Sequence, residues 1–333
     1  MWRLSVLLLL SGAALSQDGT RPLRVYFIDV EGGQATLIAA PSGETLLIDA
    51  GWEGERDANR IAETARRAGI AKIDALLITH FHRDHAGGVP ALAKQIPVRQ
   101  VFDHGENTEN YKGSADVIAR YRASTQATRH VVVRPGDKIP IRGLNITVIA
   151  SAGKWITKPL PGAGAANPAC PNQQRKPDEH TENEASIGVL LQFGKFRMLD
   201  MADLLWNQEI ELMCPVNRIG TADLLVVSHH GKDTSNSASL VHAVHPRAAI
   251  MNNGETKGGS PETFDILRSS PGLSDLWQLH YSRDAAQRNA PEQFIANERG
   301  TCNGNGISVS AGRDGTFRIR NDATEQERVY KPN

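Results

Sequence analysis

The chain has 333 residues, 40% of them hydrophobic and 22% charged, with acidic and basic side chains in equal number and a formal net charge of zero. This is the composition of an ordinary globular protein, and it excludes a disordered or fibrous chain. A balanced charge also argues against a surface that grips long nucleic acid throughout, so strong nucleic-acid binding is not expected.

Residues 1–16 read as a secretory signal: Arg3 supplies the positive start, Leu4 to Leu10 the apolar core, and Ala14-Leu15-Ser16 the small residues of a cleavage site. The apolar run is too short to span a bilayer, which takes about 20 residues. The expectation is a mature chain from near Gln17, secreted or periplasmic, with no stable membrane insertion once the signal is removed. Strand-like and helix-like segments then alternate. Leu23 to Ile28, Ala35 to Ala39 and Thr45 to Ile48 are short apolar or β-branched runs separated by Gly and Pro. Asp57 to Ala68 has helical periodicity, with Ile61 and Ala65 on one face. Ala75 to Ile78 reads as a strand, followed by a histidine-rich loop and a helix from Val89 to Gln95. Further strands are expected at 101–102, 131–133 and 146–150.

Residues 152–182 are rich in Pro, Gly and Ala and lack periodicity, which marks a long surface insertion. It either overhangs the site or has no role. A hairpin follows, Ser186 to Phe193 and Phe196 to Leu199 around Gly194-Lys195, then a helix from Leu204 to Met213 and a buried-type strand from Leu224 to Val227. The alternation continues through 248–251, 262–267, 276–279 and 306–310. The three cysteines, Cys170, Cys214 and Cys302, fit neither a zinc ribbon nor a redox pair. In an exported protein two of them could pair and leave one over.

Chemistry concentrates in His80-Phe81-His82-Arg83-Asp84-His85, three imidazoles and a carboxylate within one turn's reach of each other. Such a cluster of nitrogen and oxygen donors suits zinc or a similar divalent ion. Three other short apolar runs also end in a polar group: Leu46-Leu47-Ile48-Asp49, Met198-Leu199-Asp200-Met201-Ala202-Asp203 and Val226-Val227-Ser228-His229-His230. A lone histidine pair is ordinarily polar surface, but four such segments in order are a pattern. No Gly-x-Ser-x-Gly elbow or phosphate-binding loop competes with it.

The pattern His-x-His-x-Asp-His, preceded by Leu-Ile-Asp-x-Gly and followed by a strand-end Asp and a strand-end His, resembles the metallo-β-lactamase superfamily. Phe27-Ile28-Asp29-Val30-Glu31-Gly32-Gly33-Gln34-Ala35, Asn183-x-x-Ser186 and Ala249-Ile250-Met251-Asn252-Asn253 are similar to the soluble ComEC-type domains of that superfamily, a group tied to DNA uptake. Gln34 stands where those domains carry Asp, and Ala202 where they carry Gly. The resemblance implies a four-layer αβ/βα sandwich of α/β class, with residues 17–333 as a single domain. It also implies two divalent metal ions, zinc or manganese. His80 and His82 would hold one, and Asp84, His85 and a C-terminal histidine the other. Asp203 would bridge them, and Asp49 would orient a ligand histidine. The last histidine is His229 or His230, with His230 aligned by the superfamily's Gly-His-Gly pattern. The third ligand of the first metal is His180 or Asn183.

The implied activity is metal-dependent hydrolysis of a phosphodiester or related ester by activated water, with Asp84 as the central catalytic residue. The substrate would be a small-molecule or nucleotide-type ester. The alternatives are a lactonase or β-lactam hydrolase, and an iron-dependent oxidoreductase of the same fold.

Overall fold

The computed structural model describes residues 21–109, 112–300 and 302–332; the signal expected at 1–16 lies outside them. The chain builds one sheet, then a second, then returns to the first. Strands β1 (Leu23–Phe27), β2 (Thr36–Ala39), β3 (Thr45–Ile48), β4 (Ala75–Leu77), β5 (Gln100–Asp103) and β6 (Arg129–Val132) belong to the first sheet. The second holds β7 (Lys138–Ile139), β8 (Asn145–Ser151), β9 (Lys154–Trp155), β10 (Gly188–Phe193), β11 (Phe196–Asp200), β12 (Leu224–Val226), β13 (Ala248–Met251), β14 (Asp275–His280) and β15 (Ile295–Asn297). Finally β16 (Ile307–Ala311), β17 (Phe317–Asn321) and β18 (Glu327–Tyr330) rejoin the first sheet, β16 pairing antiparallel with β1.

Helices α1 (Glu55–Arg67), α2 (Arg83–Ala86), α3 (Val89–Leu92) and α4 (Lys112–Thr125) connect strands of the first sheet, and α5 (Trp206–Met213), α6 (Ala238–Val244) and α7 (Pro261–Arg268) those of the second. Strand parity sorts the apolar residues into layers. Leu46 and Ile48 point into the core between the sheets, while Leu47 joins Ile61, Ala65 and Tyr121 of the helices outside. On the second sheet Leu224 and Val226 meet that same inner core, and Leu225 packs with Leu212, Leu240 and Phe264. Runs buried on both faces explain why these parallel strands read as continuously apolar. Each such leucine contributes about 1.5–3 kcal/mol by leaving water. The result is the four-layer αβ/βα sandwich that the resemblance implied. Among the described residues no helix is long and apolar enough to cross a membrane.

The 152–182 segment is strapped down along its length. Leu160, Gly164 and Asn167 donate backbone hydrogen bonds to Arg218, Asn217 and Pro215. Trp206 Nε1 donates to Gln174 O, and Lys176 Nζ lies 2.7 Å from Glu262 Oε2. Cys170 is bonded to Cys214 at the end of α5, and Cys302 is the free, exposed thiol.

Candidate metal centre

Two pairs of adjacent parallel strands, β3–β4 in one sheet and β11–β12 in the other, end at the same edge of the sandwich. The chain turns sharply just beyond three of these ends. Asp49, Ala202, His229 and His230 all hold left-handed backbone angles, φ between 50° and 59°. Non-glycine residues adopt that region at a cost, and such positions concentrate at functional sites. The turns are locked by backbone bonds: Asp49 N to Leu77 O, Ala50 N to His85 O, and His229 N to Ala202 O. Gly258 fits because even a Cβ there would lie 2.0 Å from the carbonyl oxygen of His230.

One atom organises the site. Oδ2 of Asp203 lies 3.3 Å from His85 Nε2, 3.3 Å from His230 Nε2, 3.5 Å from His229 Nε2 and 3.9 Å from His80 Nε2. Asp84 Oδ2 completes one side, 3.1 Å from His230 Nε2 and 3.4 Å from His85 Nε2. Ligand atoms of Asp84, His85, Asp203 and His230 all fall within 4.8 Å of one another. On the other side His80 Nε2 is 3.0 Å from His82 Nδ1, and Asn183 Nδ2 is 3.4 Å from His229 Nε2. Nitrogens crowded like this, around carboxylates that are themselves buried, fit a divalent cation. Asp203 Oδ1, His230 Nδ1 and Asn183 Oδ1 are buried without a hydrogen-bond partner, which a purely structural cluster would not leave open.

The structure brings both His229 and His230 to the centre. It separates the two alternatives for the first side: Asn183 is buried there, while His180 is exposed and faces Glu184. Asp49 accepts from His85 Nδ1 at 2.7 Å and is itself held by the Thr79 amide and hydroxyl. It therefore fixes the ring so that Nε2 faces the site. Asp200, the acid competing with Asp203, is buried with its oxygens on the Ala202 amide and the Gln34 side chain; burial pushes its pKa up to about 7.

Electrostatics follows from burial and crowding. Burial opposes ionisation of Asp84 and Asp203, yet the facing imidazoles hold both carboxyls well below the ordinary range, with Lys257 adding to the effect at Asp84. His85 is held well above the usual value by Asp203, Asp84 and Asp49 despite burial, whereas burial drives His229 down to about 3.

Sequence reasoning missed four contributors. Glu109 Oε1 is 3.1 Å from His82 Nε2 and also accepts the Glu182 amide. Glu182 accepts from the Phe81 amide, His104 and Thr108, so it ties the Asn183 turn to the loops after β4 and β5. Lys257, above the Trp52 ring, contacts Asp84 Oδ2. Thr79 touches Asp49 and both neighbouring imidazoles. Adjacency of Glu182 to Asn183 was the one available hint.

The chain is similar to several known proteins. ComE operon protein 3 of Bacillus subtilis is 25% identical over 259 residues, covering 72% of this chain and 29% of that protein. Recombination protein 2 of Haemophilus influenzae is 25% identical over 271 residues, covering 80% of this chain and 28% of its own. The chain thus spans less than a third of these relatives. Among solved structures, the metallo-beta-lactamase fold protein YhfI from Bacillus subtilis aligns with a TM-score of 0.46 at 13% identity, over 77% of this chain and 96% of that one. The metallo-beta-lactamase superfamily model matches residues 28–251, a span running from the end of β1 through every strand end that lines the site. With that match over most of its length, the chain belongs to the metallo-beta-lactamase superfamily.

Proposed function

We propose that the chain is an exported hydrolase with two divalent ions, zinc or manganese, acting on phosphodiester or related anionic esters. The observation that carries this reading is Asp203 Oδ2, a single carboxylate oxygen flanked by imidazoles on two sides. Asp84, His85 and His230 would hold one ion, and His80 and His82, with Asn183 and His229 beside them, the other; Asp203 would bridge. Bound there, the ions would supply an activated water and stabilise negative charge developing on the substrate. The chain's own residues do the positioning. Asp49 and Glu109 orient His85 and His82. Lys257, about a quarter exposed, presents a cation at the edge of the site, which favours an anionic substrate over a neutral lactone. The name of the recombination-protein relative supports a phosphodiester, and the Cys170–Cys214 disulfide supports an oxidising compartment.

The test is metal content by mass spectrometry, beside hydrolysis of bis(p-nitrophenyl) phosphate and of nitrocefin. Two zinc or manganese ions are expected in the histidine-rich centre, with phosphodiester cleavage that falls to background in Asp84→Ala while the fold persists. Asp49→Asn should weaken metal affinity by about 10–100-fold. Turnover of nitrocefin alone would move the assignment to a β-lactam hydrolase, iron would move it to an oxidoreductase, and absence of metal under replete conditions would overturn it.

A further inference from the structure

Behind the candidate centre lies a second group of donors with a different chemistry. Asp29 leaves the end of β1, His280 ends β14, and Cys302 sits in the loop before β16. One ligand atom from each falls within 4.8 Å of the other two. His280 Nε2 is 2.6 Å from Asp29 Oδ1. Cys302 Sγ is 3.2 Å from Asp29 Oδ2 and 3.1 Å from Glu31 Oε1. Asp29 and His280 are buried, while the thiol reaches solvent.

The arrangement is unusual for a thiol. Cysteine is a weak hydrogen-bond donor, yet here it faces two carboxylates, one of them buried. Burial and the carboxylates push its pKa up to about 11, so in the absence of a cation it is held as the protonated thiol. Arg60 supplies the only positive side chain that touches all three acidic partners among the described residues: Nη1 is 3.0 Å from Asp29 Oδ2, and Nη2 is 3.4 Å from Glu31 Oε1 and 3.3 Å from Cys302 Sγ. Arg56 balances the other oxygen of Glu31 at 2.8 Å. Nitrogen, sulfur and carboxylate oxygen from three separate parts of the chain form the mixed donor set that zinc accepts.

We propose that Asp29, His280 and Cys302, with Glu31 in reach, form a second metal site that takes zinc and is separate from the histidine-rich centre. Binding replaces the thiol proton: the S–H bond breaks, the proton passes to water, and a sulfur–metal bond forms with no change of oxidation state. His280 Nε2, which donates to Asp29 Oδ1 in the metal-free site, would release that proton to water, the ring keeping its proton on Nδ1, and offer the Nε2 lone pair to the ion. The ion would staple the 302 loop to the 29–33 turn. That turn packs against the centre, since Gln34 N donates to Asp84 O at 3.1 Å. The site is therefore placed to stiffen one wall of the metal centre without touching a ligand.

Sulfur distinguishes the two sites, because the histidine-rich centre contains none and the other two cysteines are bonded to each other. Metal-free full-length protein, kept without reductant, is titrated with cobalt(II). A near-ultraviolet thiolate-to-cobalt charge-transfer band is expected in the wild type and absent in Cys302→Ser, which should fold because Cys302 is exposed. In parallel, zinc should slow alkylation of the wild-type thiol by about tenfold or more, and Cys302→Ser should bind one zinc fewer per chain. No sulfur band, together with equal alkylation rates with and without zinc, would overturn the proposal even if the histidine-rich centre fills normally.

Discussion

Ala202 shows what a single methyl group decides. Its φ of 50° puts a residue with a Cβ where the chain must turn left-handed to bring Asp203 over the sheet edge. ComEC-type domains carry Gly at this position, which adopts the turn without steric cost. The motif residues were legible because their chemistry is local: His80 to His85 are neighbours in sequence and remain so in space. Glu109, Glu182 and Lys257 were not, because loops without periodicity bring them in.

Glu182 also gives the clearest pH dependence. Burial opposes its ionisation, but His104 and the amides of Thr108 and Phe81 outweigh this and bring its pKa down to about 2. Its folded value lies below its unfolded value near 4.5, so the ionised form is the one the fold favours. That stabilisation is complete above pH 4.5 and disappears as pH falls through about 2. Glu182→Gln should therefore be about 2–3 kcal/mol less stable than wild type at pH 7, and the gap should narrow in denaturant titrations at pH 3. An unchanged gap would mean that the charge is not the source.

At the level of elements, the strands leading to the site were the most readable, since β3, β4 and β12 are buried on both faces, β11 nearly so, and each follows a polar residue, Glu44, Asp74, Asp223 and Lys195 respectively. Helix α4 escaped notice because its Ser, Thr, Ala and Arg give only a weak apolar stripe. Helix α6 did too, being short and β-branched, and started by the Ser237 side chain accepting from Leu240 N. The insertion at 152–182 read only as a surface insertion, overhanging the site or without a role, because what holds it is backbone, side chains and a cysteine far along the chain, which no local pattern reveals. Gly33 tests how far a turn controls a helix. A Cβ there would lie 2.4 Å from the carbonyl oxygen of Asp84, a backbone atom of α2 that cannot swing aside. Gly33→Ala should displace Asp84 and reduce hydrolytic activity by about a hundredfold, the typical consequence of an ångström-scale misplacement. Steady-state kinetics beside a thermal melt would reveal this; full activity would show that the turn yields instead.

Across the whole molecule, the disulfide ties the inserted segment to the second sheet's helices across a sequence separation of 44 residues. Cross-linking a loop of that size restricts the unfolded chain, so replacing both Cys170 and Cys214 with serine should cost about 2–4 kcal/mol in urea unfolding. A shift near zero would mean that the backbone straps hold the segment unaided.

The return of the chain to its first sheet has a kinetic consequence. Strand β1, at residues 23–27, lies between β2 and β16, and its β16 edge is covered only by residues 307–311. Until those last strands emerge, the early half of the protein presents an open β edge next to apolar surface, a surface on which chains stick to one another. Pairings so distant in sequence close slowly. The second sheet, whose strands follow one another from 138 to 297, can assemble from nearer partners. The pairing of β1 with β16 is thus the one expected to close last, while the strands that carry the site find their partners among near neighbours in sequence.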